Sequence, residues 1–403
     1  MRKWIIFLLC TVLLLAACAK ETTSTEPTDE SRILELTPGD VIQSWNGMDF
    51  VEIPEGYYFC CEANIPGSVS SLICFLPRGE SSYYPLCGKP NCRHADLDCN
   101  ARINQEAFTY FNGALYSFEP FKKELIQMNF DGTAHQIVAY LDTENIPENY
   151  SLEYAFHHGK LLCFFRQENV PLEEQKQHLI ALDLVDYSQC ELAADYLSTV
   201  YVRPFSQFYQ DKVYMTVLPI MDSDSNEDQF VEIDITNGET KTLIQGYLGG
   251  TYITDSTVYY LELGAQFLDR VYQKETGKEN AHARFREYDR ESGVTRSVES
   301  PVQDKELICA FYDEDCIYVN GELQSEENKE TQTLYIFSRD YKLLDQICLE
   351  NGLYFVAAAS DRVFFTDKTG APIKYYLDKS EIGSHKLTLH PLEAVGFPQE
   401  ETH

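Results

Sequence analysis

The sequence predicts an all-β fold, a β-propeller of seven blades, with six or eight blades as the neighbouring counts. Three observations predict it: many aromatic residues, no long stretch of helical periodicity, and a strand opener that recurs along the chain. The 403 residues include 27 Tyr and 23 Phe but only 2 Trp. Aromatic and β-branched side chains suit a pleated, half-buried surface, and a hydrophobic content of 44% supports a sizeable core.

The opener is a four-residue pattern that starts with Gly, Asp or Ser. One free residue follows, then an aliphatic or aromatic residue, and then in most copies Tyr or Phe. The pattern begins at Gly56, Gly113, Gly159, Asp211, Ser256, Asp315 and Asp361. Its copies lie 45 to 59 residues apart, a period typical of propeller blades with several strands each. A pair of β-sandwich domains is the alternative fold, but the regular spacing favours the propeller.

Each repeat can be divided into four strands. The second repeat predicts strands at 107–111, 114–118, 125–130 and 136–140. Its third and fourth strands meet at Asp131-Gly132, which is a strong hairpin signal. Similar turns are predicted at Thr236-Asn237-Gly238, Glu291-Ser292-Gly293 and Asp378-Lys379. Ile33–Leu36 is a candidate strand for closing the ring in the last blade.

The N-terminus has the pattern of an export signal. Arg2 and Lys3 precede an apolar run, Trp4–Ala17, of 14 residues, whereas a membrane-spanning helix needs roughly 20. Residues 1–17 are therefore predicted to be a signal peptide. The run ends in Leu15-Ala16-Ala17-Cys18, which resembles a bacterial lipobox. An ordinary secretory signal that happens to contain a cysteine is the alternative.

With its loose repeats, the chain resembles bacterial lipid-anchored β-propeller proteins of unassigned function, distantly similar to TolB-like and YWTD-type propellers. The resemblance implies that Cys18 carries lipid and that the domain is exported, held at the cell membrane on its extracytoplasmic side. Residues 18–38 are predicted to be a flexible acidic linker, because they offer little apolar surface to bury, and residues 39–397 the propeller. The chain lacks WD dipeptides, kelch Gly-Gly pairs, sialidase-type Asp boxes and a periodic Trp.

The charge of the chain excludes one class of partner. There are 32 basic and 64 acidic residues, giving a net charge of −32. Removal of Arg2 and Lys3 with the signal makes this −32 − 2 = −34. Nucleic-acid-binding proteins carry basic faces, so no nucleic-acid partner is predicted. An anionic lipid surface would also repel this domain, so the predicted contact with the membrane is the lipid on Cys18.

Four residues that ligate metals fall within one predicted connection. Cys87, Cys92, His94 and Cys99 follow the spacing C-x4-C-x-H-x4-C. Three thiolates and an imidazole suit a tetrahedral, structural Zn²⁺. A disulfide among the three cysteines is an equal alternative, since an oxidising exterior permits it. Either a Zn²⁺ ion or a disulfide would fix the shape of the connection. Four protein ligands would leave no open position on the metal for catalysis. No catalytic residue is predicted.

An acidic segment is a weaker candidate for Ca²⁺. Its ligands would be Asp222, Asp224, Asn226 and Asp228. The segment departs from the EF-hand pattern, because Glu227 occupies the position that requires Gly. A solvated acidic loop is the stronger interpretation.

Long connections are predicted to collect on one face of the disc. They are Gln167–Gln177, Pro219–Asp228, Gly264–Ala283, Asn320–Gln332 and, between the first two blades, Cys87–Gln105. Insertions concentrated on one face often mark a binding surface. The sequence therefore predicts a non-enzymatic binding or scaffold domain whose ligand is a carbohydrate or a protein. The alternatives are an extracellular polysaccharide hydrolase or lyase and a scaffold for envelope assembly.

Overall fold

The structure is a computed structural model of the 403-residue chain. It describes residues 50–62, 71–92, 94, 98–103, 107–146, 149–171, 174, 176–194, 201–218, 229–272, 282–298, 301–302, 306–321, 324–326, 329–367 and 373–397. The predicted signal peptide, Cys18, the linker, the candidate strand Ile33–Leu36 and the acidic segment at 222–228 lie outside these ranges.

The described residues form a seven-bladed β-propeller, in which each blade is an antiparallel sheet of four main strands in chain order. Blade one has β1 (Phe50–Ile53), β2 (Gly56–Glu62), β3 (Ser71–Pro77), β4 (Ser82–Pro85) and the short β5 (Arg102–Ile103). Blade two has β6 (Phe108–Phe111), β7 (Ala114–Glu119), β8 (Glu124–Asn129) and β9 (Gln136–Tyr140). Blade three has β10 (Tyr150–His157), β11 (Lys160–Gln167), β12 (Gln177–Asp183) and β13 (Gln189–Ala194).

The later blades repeat this order. Blade four has β14 (Tyr201–Tyr209), β15 (Lys212–Leu218), β16 (Gln229–Asp234) and β17 (Thr240–Gln245). Blade five has β18 (Leu248–Ile253), β19 (Thr257–Glu262), β20 (Arg284–Asp289) and β21 (Thr295–Val298). Blade six has β22 (Leu307–Tyr312), β23 (Cys316–Gly321), β24 (Gln324–Glu326), β25 (Lys329–Ser338) and β26 (Leu343–Glu350). Blade seven has β27 (Tyr354–Ala358), β28 (Arg362–Thr366), β29 (Tyr375–Asp378) and β30 (His390–Pro391), and β31 (Glu393–Ala394) follows.

Each opener lies at the start of the second strand of its blade, as the repeat predicts. The third residue of every copy is almost wholly buried: Tyr58, Leu115, Leu161, Val213, Val258, Ile317 and Val363. The fourth residue is buried too in most copies, including Phe59, Tyr214 and Phe364. Side chains alternate across a strand, and a blade lies between two neighbours, so both faces of its second strand need apolar residues.

The predicted strands of blade two are confirmed to within one residue at each end. The tight turn predicted at Asp378-Lys379 is wrong. A 3-10 turn at Lys379–Glu381 starts a longer connection, and the fourth strand begins only at His390. The side chain of Asp378 caps that turn by accepting a hydrogen bond from the amide of Ser380 at 2.8 Å, which stabilises the detour.

Among the described residues, one α-helix interrupts the all-β pattern. Helix α1 (Ala265–Tyr272) lies in the connection between the second and third strands of blade five. Leu268 is its buried contact. Eight residues span only about two turns, too short for the longer window in which helical periodicity stands out. No helix of the described ranges is long and apolar enough to cross a membrane.

Within the described residues, a short strand links the last blade to the first. Blade one is built from β1 to β5 and blade seven from β27 to β30. After blade seven, β31 pairs in parallel with β4 on the outer edge of blade one. The amide of Glu393 donates to the carbonyl of Ser81 at 2.9 Å, and the amide of Val395 donates to that of Tyr83 at 2.9 Å.

Candidate metal centre

The segment that carries the Cys and His residues is an insertion into the outer strand of blade one. β4 and β5 both pair antiparallel with β3, so together they form one interrupted strand. Ile73 in β3 holds both ends of the insertion. Its carbonyl accepts a hydrogen bond from the amide of Leu86 at 2.8 Å, and its amide donates to the carbonyl of Ala101 at 2.8 Å.

This placement corrects the sequence prediction that the segment is a connection on the face of the long loops. The insertion leaves from the middle of the outer edge of the blade, because the strand resumes at Arg102 before it crosses to blade two. β5 is only two residues long, so the sequence offers no recognisable strand pattern there. β5 is recognised as a strand only by its hydrogen bonds to β3.

The insertion brings its four candidate ligands together. One donor atom from each of Cys87, Cys92, His94 and Cys99 lies within 4.8 Å of the others. Nδ1 of His94 is 3.3 Å from Sγ of Cys99. His94 and Cys99 are buried, whereas Cys87 and Cys92 are half-buried. The cluster is therefore partly shielded from solvent.

Two described residues of the insertion have a left-handed backbone conformation. Asn91 and His94 have positive φ angles of 60° and 55°. Asn tolerates this left-handed conformation well, but for His it is uncommon. Such outliers collect at ligand clamps and functional sites, where the surrounding structure holds them. The left-handed conformation of His94 occurs where its imidazole approaches the thiol of Cys99.

The pKa values of Cys87 and Cys99 are shifted in opposite directions. Burial alone would raise the pKa of Cys87, but hydrogen bonds to its sulfur from the backbone at Lys89 and Asn100 and from the other two thiols bring its net pKa below the usual value. Burial raises the pKa of Cys99 to about 12, and the nearby charge of Cys87 adds to this. Burial lowers the pKa of His94. The lowered pKa of His94 favours the neutral imidazole, which is the form that binds metals.

The C-terminal segment lies against the same cluster. Gly396 follows β31, and a Cβ atom placed on it would come 3.8 Å from Cδ of Pro85 and 4.0 Å from Nε2 of His94. The ring of Phe397 packs edge-on against Tyr83, with 5.7 Å between centroids. Half-buried Cys87, Cys92, Leu392 and Phe397 all pack against one core cluster, which also contains residues of blade seven. The insertion and the C-terminal segment thus pack against the same hydrophobic core cluster.

A cavity that the sequence did not predict lies beside the insertion, between blades one and two. Its volume is about 140 Å³, and it is lined by Arg102, Ile103, Ser117, Phe118, Glu119, Ile126 and His135. Most of this lining is polar, and Glu119 and Ser117 are buried. These residues come from three strands and a turn, so no local motif could have identified them.

One carboxyl group on an inner strand has a raised pKa. β10 is an inner strand, since it contacts the first strands of the two adjacent blades. Burial raises the pKa of Glu153 in β10, and the charge of Arg166 partly offsets this. A glycosidase commonly uses two carboxyl groups. Glu153 is the carboxyl group with a raised pKa in the part of the chain that the structure describes.

The remaining cysteines of the described residues lie in strands. Cys60, Cys61, Cys74, Cys163 and Cys316 are buried, Cys309 is half-buried, and Cys190 and Cys348 are exposed. Burial raises the pKa of Cys163 and Cys309, so these thiols stay protonated and behave as small apolar groups. His157, part of the His157-His158 pair, is also a core residue: its ring stacks on Phe208 with 4.5 Å between centroids.

Comparison with known proteins adds little to this description. No protein-family model and no curated protein matches the chain. Among solved structures, the acylaminoacyl peptidase of Pyrococcus horikoshii matches 87% of this chain at 11% identity and a TM-score of 0.47, and the chain spans about half (52%) of that protein. The β-propeller domain of the Trilobed protease from Pyrococcus furiosus matches 88% of this chain and 96% of its own length at 11% identity and a TM-score of 0.44.

TolB from Acinetobacter baumannii matches 86% of this chain and 80% of its own length, at 10% identity and a TM-score of 0.33. At these values the likenesses concern the propeller fold alone and transfer no activity, substrate or partner. The assignment of seven blades rests on the seven sheets of the chain itself.

Proposed function

We propose that the protein is an exported lipoprotein, tethered to the membrane by lipid on Cys18, whose propeller is a non-catalytic binding or scaffold domain. The ligand class is a carbohydrate or a protein of the extracytoplasmic space. The tether follows from the lipobox-like Leu15-Ala16-Ala17-Cys18. A single acyl chain gives only marginal binding, and stable anchoring takes two or more, which a diacylglycerol on Cys18 would supply.

One observation about the propeller supports the binding role. Connections between second and third strands are long in four blades: 168–176, 219–228, 263–283 and the stretch around β24. The turns between first and second strands are tight throughout the described blades, as at Asn112-Gly113 and His158-Gly159. A scaffold with one elaborated face is a common way to present binding residues. We call this side, where the second strands end, the long-connection face.

The net charge of the chain restricts the class of ligand further. The net charge of −32 repels polyanions. We therefore expect a neutral polysaccharide or a protein with a basic surface, rather than an anionic polymer. A basic partner would associate faster at low ionic strength, because attraction between exposed charges is screened by salt.

The tether is tested by labelling and fractionation in a bacterial host. The wild-type chain should incorporate labelled palmitate and sediment with membranes. Cys18→Ala should lose the label and the membrane association, whereas Cys190→Ser, which alters an exposed cysteine of the propeller, should keep both. Unchanged sedimentation of Cys18→Ala would overturn the proposal of a lipid anchor.

The binding role is tested with the purified full-length protein on arrays of neutral glycans and by cross-linking on intact cells. Replacement of 266–281 by a short Gly-Ser linker removes part of the long-connection face and should weaken binding. Gly79→Ser, at an open turn on the other face, should not. If the protein instead cleaves a polysaccharide and Glu153→Gln abolishes cleavage, the hydrolase alternative replaces the binding proposal.

A further inference from the structure

The insertion at 87–100 and the C-terminal segment after β30 meet on the outer edge of blade one. This contact is independent of any ligand on the long-connection face. It joins the one cluster of metal-ligating side chains in the described residues to the one strand that crosses from blade seven to blade one.

We propose that Cys87, Cys92, His94 and Cys99 bind a structural Zn²⁺ ion, and that this metal centre fastens the C-terminal segment to blade one and so closes the propeller ring. The ion would be coordinated by three sulfur atoms and one imidazole nitrogen. With no ligand position left open, it serves structure and not catalysis.

Convergence of all four donors favours a metal over a disulfide. A disulfide joins two sulfur atoms and gives no reason for the third thiol and the imidazole to lie beside them. In a tetrahedral site, Zn–S bonds of about 2.3 Å and Zn–N bonds of about 2.0 Å place ligand atoms about 3.5 to 3.8 Å apart. The 3.3 Å between Nδ1 of His94 and Sγ of Cys99 is close to that separation, and all four donors lie within 4.8 Å.

Binding of Zn²⁺ requires deprotonated thiols and a neutral imidazole, and it releases protons from the cysteines. The ion itself would stabilise the thiolates, because its positive charge attracts the sulfur anions.

The coupling to ring closure rests on contacts between the insertion and the C-terminal segment. His94 lies beside the C-terminal segment, since a Cβ placed on Gly396 would be 4.0 Å from its Nε2. Gly396 has a φ of 83°, a left-handed conformation that favours glycine. β31 itself offers only two residues of pairing with β4, too few to be stable by themselves. An insertion held by metal would cover this short strand, whereas without metal the insertion would lose its fixed shape.

The metal itself is tested on the purified full-length protein by elemental analysis. We expect one Zn²⁺ per chain, and Co²⁺ exchanged into the site should give the visible spectrum of a tetrahedral thiolate complex. Cys87→Ser and Cys99→Ser should lose the metal, whereas Cys190→Ser and Cys348→Ser should retain it. Absence of metal together with a mapped disulfide among Cys87, Cys92 and Cys99 would overturn the proposal.

The coupling is tested by hydrogen exchange of wild-type protein with and without a chelator, which avoids variants that fail to fold. Removal of Zn²⁺ should speed amide exchange at Glu393 and Val395 at least tenfold, and Zn²⁺ added back should restore protection. The amides of β16 in blade four, on another part of the ring, serve as the internal control. Metal loss with unchanged exchange at Glu393 and Val395 would overturn the closure role, even if Zn²⁺ is bound.

Discussion

The hydroxyl of Tyr57 in blade one donates a hydrogen bond to Oδ1 of Asp361 in blade seven. These two residues lie 304 positions apart in the chain, and their contact lies across the junction that closes the ring. Arg78 contacts both of them, because its Nη1 donates to the Tyr57 hydroxyl at 3.2 Å and lies 3.2 Å from Oδ1 of Asp361. Its Nη2 forms an ion pair with Glu52 at 2.7 Å. Side chains thus supplement the short β31 pairing at the junction.

Loss of the Tyr57 hydroxyl should loosen this junction. Burial, followed by the bond to Asp361, raises the pKa of Tyr57 well above its usual value, so the group remains a neutral donor at all working pH values. Tyr57→Phe should lower the free energy of unfolding by about 1 to 2 kcal/mol, measured by urea denaturation. Tyr140→Phe, at an exposed ring, is the matched control, and equal midpoints for the two variants would contradict the prediction.

A second junction depends on a partly buried ion pair. Nζ of Lys379 lies 3.0 Å from Oδ2 of Asp313, and these side chains are only 10% and 15% exposed. Lys379→Met leaves the Asp313 carboxylate without its cation, which should cost about 3 kcal/mol. Lys342→Met breaks a pair whose members are 77% and 58% exposed, and it should leave stability nearly unchanged, because solvent screens an exposed pair. Similar losses in the two variants, measured by thermal unfolding, would contradict the first estimate.

Acid should destabilise the propeller through His157. Its Nε2–H donates to the carbonyl of Gln210 at 2.8 Å. Burial and then the charge of His158 lower its pKa from 6.5 to about 3. The unfolded chain therefore takes up this proton near pH 6.5 and the folded chain only near pH 3. The stability from neutral His157 is complete above pH 6.5 and is lost as the pH falls from 6.5 to 3.

The variant His157→Phe isolates that effect. It removes the titrating group while keeping an aromatic ring against Phe208, so its stability should fall less steeply below pH 6.5. The difference in slope should approach about 1.4 kcal/mol per pH unit, measured by urea denaturation across that range. Tyr140→Phe, at an exposed ring that does not titrate in this range, should keep the wild-type slope. Parallel curves for His157→Phe and wild type would refute the assignment.

Two glycines with similar backbone angles should respond differently to alanine. Gly132 and Gly113 have φ angles of 75° and 82°, so Ala at either position adopts a left-handed conformation that costs about 1 kcal/mol. A Cβ at Gly132 would also lie 2.1 Å from the carbonyl oxygen of Leu86, whereas at Gly113 it meets nothing within 4 Å. Gly132→Ala should therefore cost about 1 to 3 kcal/mol more than Gly113→Ala.

Chemical denaturation of the two variants checks this difference. Because Leu86 precedes Cys87, Gly132→Ala should also disturb the start of the insertion, and elemental analysis of the purified variant should show weaker retention of Zn²⁺. Equal stability of the two alanine variants would mean that blade two does not support the insertion at this point.

Local pattern determined much of the architecture. The opener predicts the second strand of every blade, because the burial of that strand on both faces imposes apolar residues at fixed positions such as Val213 and Ile317. The dipeptide Asp131-Gly132 likewise predicts its turn, since a left-handed φ favours Gly. The spacing of Cys87, Cys92, His94 and Cys99 identified a candidate site, while metal and disulfide remained equal alternatives.

Tertiary structure decided what depends on partners distant in the chain. Ile73 bonds both Leu86 and Ala101, which makes the Cys and His segment an insertion in an outer strand and not a connection between blades. β31 is two residues long and pairs with β4 more than 300 positions earlier. Strands this short carry no periodicity of their own, so only the closed ring, which brings the first and last blades together, supplies the hydrogen-bonding partners that define them.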